Sequence, residues 1–470
     1  MLFKGKAPKD VDAISKSRSV LRDVNMLSGP ILPEIIKFSL PIILTGVLQQ
    51  LYNTADTIVV GNFGGKEALA AVGATTAIIS ILVTVFINLF VGTNILVARS
   101  VGAGDEDSIK KIVSTTYLLS LGLGVGIAVL GELLALPMLE LTGCPENVIP
   151  GAEKYMRIYF IGIPASMFMN YAASVIRNSG DSKSPFIYLS LSGVANVVCN
   201  VAFVLLFGDP VASVAIATVV SMYLSAVLFF IHLVRLEGPA RLNPFKFEFH
   251  LDIFLKTIRY GIPSVISGVS FSLTNVIIQP AINSYGDVGI SASAASASIE
   301  AFLYAINNSF MAAVVAFVGQ NIGAGNRDRV KKVLRVSYLT AICTMAVFTA
   351  LIISLGRNLL WLFIPGELEA IEFAQLRLTI IMSAAIINGI MNVNAGALQA
   401  YGYTIVQMIS NLVGVCAFRI VWMTAVYPKS PTPFMLWICY PISWVATCIA
   451  IFVFVMILTK KYLGGKNFNI

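Results

Sequence analysis

Twelve apolar segments follow one another along this chain, and each reaches the ~20 residues a helix needs to cross a bilayer. They run roughly over 34–60, 67–98, 112–136, 154–177, 185–207, 211–235, 253–285, 290–319, 331–356, 374–400, 404–427 and 433–459. Hydrocarbon offers no water to backbone amides and carbonyls, so such segments must be helices or strands of a closed barrel. Their length excludes the short alternating strands of a barrel. Only 12% of the 470 residues are charged against 57% apolar, too few to solvate a water-soluble surface. No long polar stretch is left for a soluble domain. The first segment lacks a small-residue cleavage site and reads as a retained helix, not a signal peptide.

Lys and Arg set the orientation. With the N-terminus in the cytoplasm, 25 of the 32 fall in the two tails and the even-numbered connections. Six fall in the odd-numbered connections and their helix ends, and Arg419 lies inside a segment. Both termini are therefore expected in the cytoplasm, in a plasma (inner) membrane protein with an even number of spans.

The chain repeats itself. Pro41, Gly46 and Asn53 recur as Pro263, Gly268 and Asn275, a shift of 222 residues. VGAGDEDSIKKIV (101–113) recurs as IGAGNRDRVKKVL (322–334), shifted by 221, and Asn170 and Gly180 recur as Asn392 and Gly402. The fold class that follows is an all-α polytopic membrane protein, twelve transmembrane helices in two six-helix lobes related by pseudo-twofold symmetry. The expected division is a basic cytoplasmic tail (1–33), an N-terminal lobe (34–235), a basic inter-lobe linker (236–252), a C-terminal lobe (253–459) and a cytoplasmic tail (460–470). Two similar bundles facing a central cleft suit alternating access, although a symmetric fold alone does not establish transport.

The formal net charge of +8 does not indicate nucleic acid, because the basic residues sit at helix ends and form no aromatic-interleaved patch. Cys199, Cys343, Cys416, Cys439 and Cys448 lie in apolar runs, Cys144 does not, and no CxxC pair exists; all six are expected to act as small hydrophobes. His232 and His250 have no ligand-like neighbours, so no structural metal and no cofactor are expected. The GAG stretches at 102–104 and 323–325 read as helix C-caps, and no GK[ST] follows to make a phosphate loop. No catalytic constellation is found: GxSxG, HExxH and paired Asp are all missing.

Polar side chains at membrane depth carry what remains. Asp56 stands toward the outer end of the first segment, with Gln49 and Asn53 at i−7 and i−3 on its face. A carboxylate there costs about 2.5–3.5 kcal/mol on insertion scales, which a proton or a sodium ion exchanged against substrate would justify. A snorkelling Asp near the outer interface is the plainer reading. Asn196 and Asn200, four apart in segment 5, offer carbonyl oxygens to a sodium ion or simply join helices. Glu300, followed by Tyr304, Asn307 and Met311 at helical spacing, suits a cationic substrate or pairs with a buried base such as Arg419. Asn388, Asn392 and Gln399 form a stripe on segment 10 that would face an amphipathic substrate or pack between helices. Glu132 reads as interfacial. Phe and Met, 28 and 15 in number, could line a permissive pocket, though most must face lipid or other helices.

LPIILTGVLQQLYNTADTIVVGNFG (40–64), RNSGD (177–181) and FVGQNIGAG (317–325) resemble the multidrug and toxic compound extrusion (MATE) family over nearly the whole chain. The resemblance implies sodium- or proton-coupled export of cationic, often aromatic compounds by a two-lobed, twelve-helix monomer. Asp56 falls on the family's helix 1 carboxylate, and Asn196 on the asparagine of its helix 5 NxxxD pattern. Asn200 stands where many members have Asp, removing one negative charge. Carboxylates that some members carry on helices 7 and 10 have no counterpart here: Phe271 and Ser272 occupy the first place and Asn388 the second. A lipid-linked glycan flippase would need several bases inside the cleft, whereas Arg419 is the one evident mid-helix base and Arg99 and Arg177 lie at helix ends. That favours cationic or amphipathic cargo, with a membrane-embedded enzyme as the alternative of another class.

Overall fold

As one straight helix, the 59-residue run α1 (Ile31–Leu89) would extend about 88 Å, far beyond a ~30 Å hydrocarbon layer. Gly65 resolves the conflict. In the computed structural model, which describes residues 24–464, it adopts φ 68° and ψ −163°, a region essentially closed to residues with a Cβ. It splits α1 into two spans, 31–64 and 66–89.

The chain continues through α2 (Val91–Ala103), which prolongs the second span, then α3 (Glu106–Leu141), α4 (Ile149–Asn178), α5 (Lys183–Phe207) and α6 (Pro210–Arg235). The second half holds α7 (Leu251–Asn283), α8 (Gly286–Gly323), α9 (Arg327–Phe363), the pair α10 (Leu368–Ser383) and α11 (Ala385–Ala400), α12 (Thr404–Lys429) and α13 (Pro433–Leu463). Helices α10 and α11 form one span bent by 47°. Among the described residues, with α1 split at Gly65 and α10–α11 taken together, the spans number twelve and no strand occurs.

The repeated turns fold alike. Gly104 ends α2 at φ 69°, and Asp105 then caps α3 by accepting the Ser108 amide at 3.0 Å. In the second copy Gly325 stands at φ 71°, and Asn326 accepts the Arg329 amide at 3.3 Å to cap α9. Gly102 and Gly323, in contrast, are still helical. The matched turns after α4 and α11 each contain a left-handed glycine, Gly180 (φ 108°) and Gly402 (φ 76°).

Two compact units form. One, the N-terminal lobe, comprises Val24 with 44–261; the other, the C-terminal lobe, comprises 25–43 with 262–470, of which 25–43 and 262–464 are described. In the first, α4 packs against α2, α3 and α6, and α5 packs on α6. In the second, α8 packs against α9, α10 and α11, and α13 against α10 and α11. Helices α4 and α8 bury 72% and 61% of their most apolar stretches, while the other unbroken spans bury 39% or less. Spans so exposed and so apolar need lipid around them. At one end of the C-terminal lobe Arg329 donates to the carbonyls of Met26, Ser28 and Gly29 at 3.1, 2.8 and 3.0 Å, fastening the segment that leads into α1.

Two expectations change. Cys343 lies on an exposed helix face and Cys199 is half-buried, so only Cys416, Cys439 and Cys448 behave as buried small hydrophobes. Of the tails, residues 1–23 and 465–470 lie outside the described residues, whereas Lys460–Leu463 continue α13.

Candidate functional site

The N-terminal lobe ties its first span to α5 by a ladder of contacts. On one rung the Tyr52 hydroxyl donates to the Ser190 carbonyl at 3.1 Å, and the Tyr52 ring lies against Gly193. A Cβ at Gly193 would come within 1.7 Å of that ring, so only glycine allows this approach. Four residues further along the first span, and seven residues past Gly193 on α5, Asn200 Nδ2 donates to Asp56 Oδ1. The ladder therefore sets where Asp56 meets α5. Gly193→Ala should cost about 1–3 kcal/mol by overpacking and depress transport, seen as a lower melting temperature and slower efflux. Adding Tyr52→Ala should recover much of both; no change in the single variant would remove the ladder from the account.

From Asp56 the polar chain runs inward. Asn200, fully buried, also donates to Asn196 Oδ1 at 3.3 Å, and Asn196 Nδ2 donates to the Thr218 hydroxyl of α6 at 3.4 Å. Tyr155, in electrostatic range of Asp56, stacks on Tyr159, and both rings are buried. Asn200 Oδ1 is buried with no hydrogen-bond partner. A carboxylate that forms no ion pair and an unsatisfied amide oxygen beside it are hard oxygen donors, suited to a sodium ion; the carboxylate alone suits a proton. Thr218, Tyr155 and Tyr159 lay unmarked in apolar stretches of the sequence. Asn53 and Gln49, placed with Asp56 by spacing, are exposed, and the hydrogen-bonded chain does not include them.

The C-terminal lobe holds a different arrangement. Glu300 on α8 is buried and takes Arg377 of α10 on both oxygens, at 2.7 Å from Nε and 2.9 Å from Nη2. Arg377 also reaches Ser293 and lies 4.6 Å from the Trp437 ring centroid. The buried base paired with Glu300 is thus Arg377, not Arg419. Arg377 is no outer helix-end charge, because α10 begins at Leu368 and carries it nine residues inward. Arg419 is therefore not the one mid-helix base: this lobe buries two, Arg377 and Arg419, so a scarcity of buried bases does not favour cationic cargo here. The signal was available: a carboxylate inside an apolar helix asks for a base, and Arg377 stands in an apolar run.

Asn307, Asn388 and Asn392 join one another. Asn307 Nδ2 donates to Asn388 Oδ1 at 2.6 Å, and Asn392 Nδ2 donates to the same oxygen at 3.0 Å. Gln399 donates to Gln407 at 3.1 Å and lies 3.8 Å from the Met311 sulfur. The α11 stripe is thus hydrogen-bonded within its own lobe. Tyr304 is half-buried on α8, its ring edge-on to Phe271 at 6.1 Å. Glu132 is half-buried on α3, nine residues before its end, and pairs with Arg157 at 3.1 Å.

Comparison with known proteins follows the same repeat. The MatE family profile matches twice, over 41–203 and 263–423, starts that differ by 222 residues. A probable multidrug resistance protein of Bacillus subtilis, YoeA, is 27% identical over 436 residues, 90% of this chain and 93% of its own. An FAD transporter of Shewanella oneidensis is 24% identical, covering 82% and 86%. The fold superposes on an outward-facing multidrug resistance MATE family transporter with TM-score 0.86 at 21% identity, over 93% of this chain and 98% of that one.

Proposed function

Because this chain belongs to the multidrug and toxic compound extrusion (MATE) family, and is therefore a multi-pass membrane transporter and not an enzyme, we propose that it is a secondary antiporter exporting cationic or amphipathic organic compounds by alternating access. The coupling ion is sodium or a proton, taken at Asp56 with Asn196 and Asn200. The transporter acts as a monomer in the plasma membrane with both termini in the cytoplasm.

One observation carries this reading. Of the two carboxylates nominated deep in the helices, Glu300 has both oxygens on Arg377, whereas Asp56 has an amide partner and no cationic one. A carboxylate in a low-dielectric surround, held by a neutral partner, is stabilised by a cation that comes and goes. The range of relatives, from a multidrug resistance protein to an FAD transporter, supports a permissive organic substrate class.

The test is transport in proteoliposomes. An ethidium-like dye should accumulate only when a sodium or proton gradient is imposed, each tried separately. Dye movement that ignores both gradients and requires ATP would refute the assignment.

A further inference from the structure

Arg419 is fully buried in the C-terminal lobe, and nothing in the transport reading uses it. It sits on α12 in a single α-helical turn, Phe418–Val421, between π-helical stretches at Leu412–Ala417 and Trp422–Val426. Three contacts fix its guanidinium. Nε donates to the Ser443 hydroxyl at 3.1 Å, and that hydroxyl in turn donates to the Tyr440 carbonyl at 2.8 Å. The group lies 3.9 Å from the Tyr440 ring centroid and 5.8 Å from that of Phe271. Both terminal nitrogens, Nη1 and Nη2, are buried without a hydrogen-bond partner.

The charge is uncompensated as well. Glu300 is the only carboxylate among the buried described residues, and Arg377 occupies it on both oxygens. Tyr440 feels both arginines and Glu300, so the three charges share one region with an excess of one positive. Aromatic faces offset part of the desolvation of a buried cation. Burying a guanidinium remains costly after relaxation, and each unmet N–H adds to that cost. The rings alone do not cover that. Around Tyr440 the unmet groups continue to be donors: the indole N–H groups of Trp437 and Trp444, packed on it at 6.4 and 6.2 Å, are buried without acceptors.

We propose that Arg419 is an oxyanion-binding residue, its two free guanidinium nitrogens taking a carboxylate or phosphate group inside the C-terminal lobe. A planar fork held at Nε and stacked on a ring is preorganised for bidentate oxyanion recognition. The group belongs either to a free inorganic oxyanion or to an anionic amphipathic substrate; the second identity rests on the transporter reading, while binding itself does not.

Purified full-length protein in detergent tests this, with chloride holding ionic strength constant. Inorganic phosphate and benzoate are titrated separately, following melting temperature and the fluorescence of the four tryptophans, two of which pack on Tyr440. A saturable response to phosphate alone assigns the free ion; a response to benzoate assigns the organic acid. Either should vanish in Arg419→Gln and persist in Asp56→Asn. Arg419→Lys, which keeps the charge without the fork, should bind about ten-fold or more weakly and covers the case in which the glutamine variant fails to fold. No saturable response of the wild type to either probe, or equal binding by Arg419→Lys, would overturn the site. Dye transport under imposed gradients is a separate readout, so failure here leaves the coupling assignment standing.

Discussion

Asp56→Asn should insert and fold at least as well as the wild type and yet lose gradient-driven export. The substitution keeps the shape, and the new amide oxygen can still accept the Asn200 Nδ2–H, so the rung between the first span and α5 survives. It removes the charge, whose insertion cost is about 2.5–3.5 kcal/mol, so thermal stability should hold or rise. What disappears is the carboxylate of that hydrogen-bonded set, the negative charge that a cation would neutralise. Export should fall to the level of protein-free liposomes under sodium and proton gradients alike. The measurement is dye flux beside a melting curve on the same preparation. Flux that stays gradient-dependent in this variant would move coupling elsewhere. Glu300 would then be the next carboxylate to consider, and its commitment to Arg377 argues against it.

Much of this was open to sequence reasoning because helical periodicity fixes azimuth. Asn196 and Asn200, four residues apart, do share the face of α5 that meets Asp56. Periodicity does not say how much of a face a neighbour covers. Gln49 and Asn53 share the polar side of the first span, yet α5 meets that span at Tyr52 and Asp56 and leaves them exposed. Pairings distant in the chain were harder. Arg377 and Glu300 are 77 residues apart, and starting the tenth segment at 374 placed Arg377 at a helix end. The true start at Leu368 lies before Glu369 and Glu372, two acidic residues that hydropathy alone rejects from an apolar segment. The twelve spans and the turns at Gly104 and Gly325 were legible because twenty apolar residues, and a left-handed glycine before a capping Asp or Asn, leave few alternatives.

The second large effect concerns that pair. Glu300→Gln leaves the Arg377 guanidinium buried beside Trp437 with no counter-charge. Breaking one side of a buried pair costs about 3–5 kcal/mol, so the melting temperature should drop on the order of 10 °C and the yield should fall. Glu300→Leu with Arg377→Met removes both charges and keeps the volume, and should melt near the wild type, since apolar replacement of a whole buried pair is often neutral. The double variant then separates two roles that the single one confounds. If it folds and exports dye with an unchanged dependence on both gradients, Glu300 holds α8 against α10 and takes no part in coupling. If it folds and export fails while Asp56 is intact, the pair contributes to transport beyond its packing. A Glu300→Gln protein as stable as the wild type would mean that Arg377 finds another acceptor, and the charge balance assigned to this lobe would have to be redrawn around it.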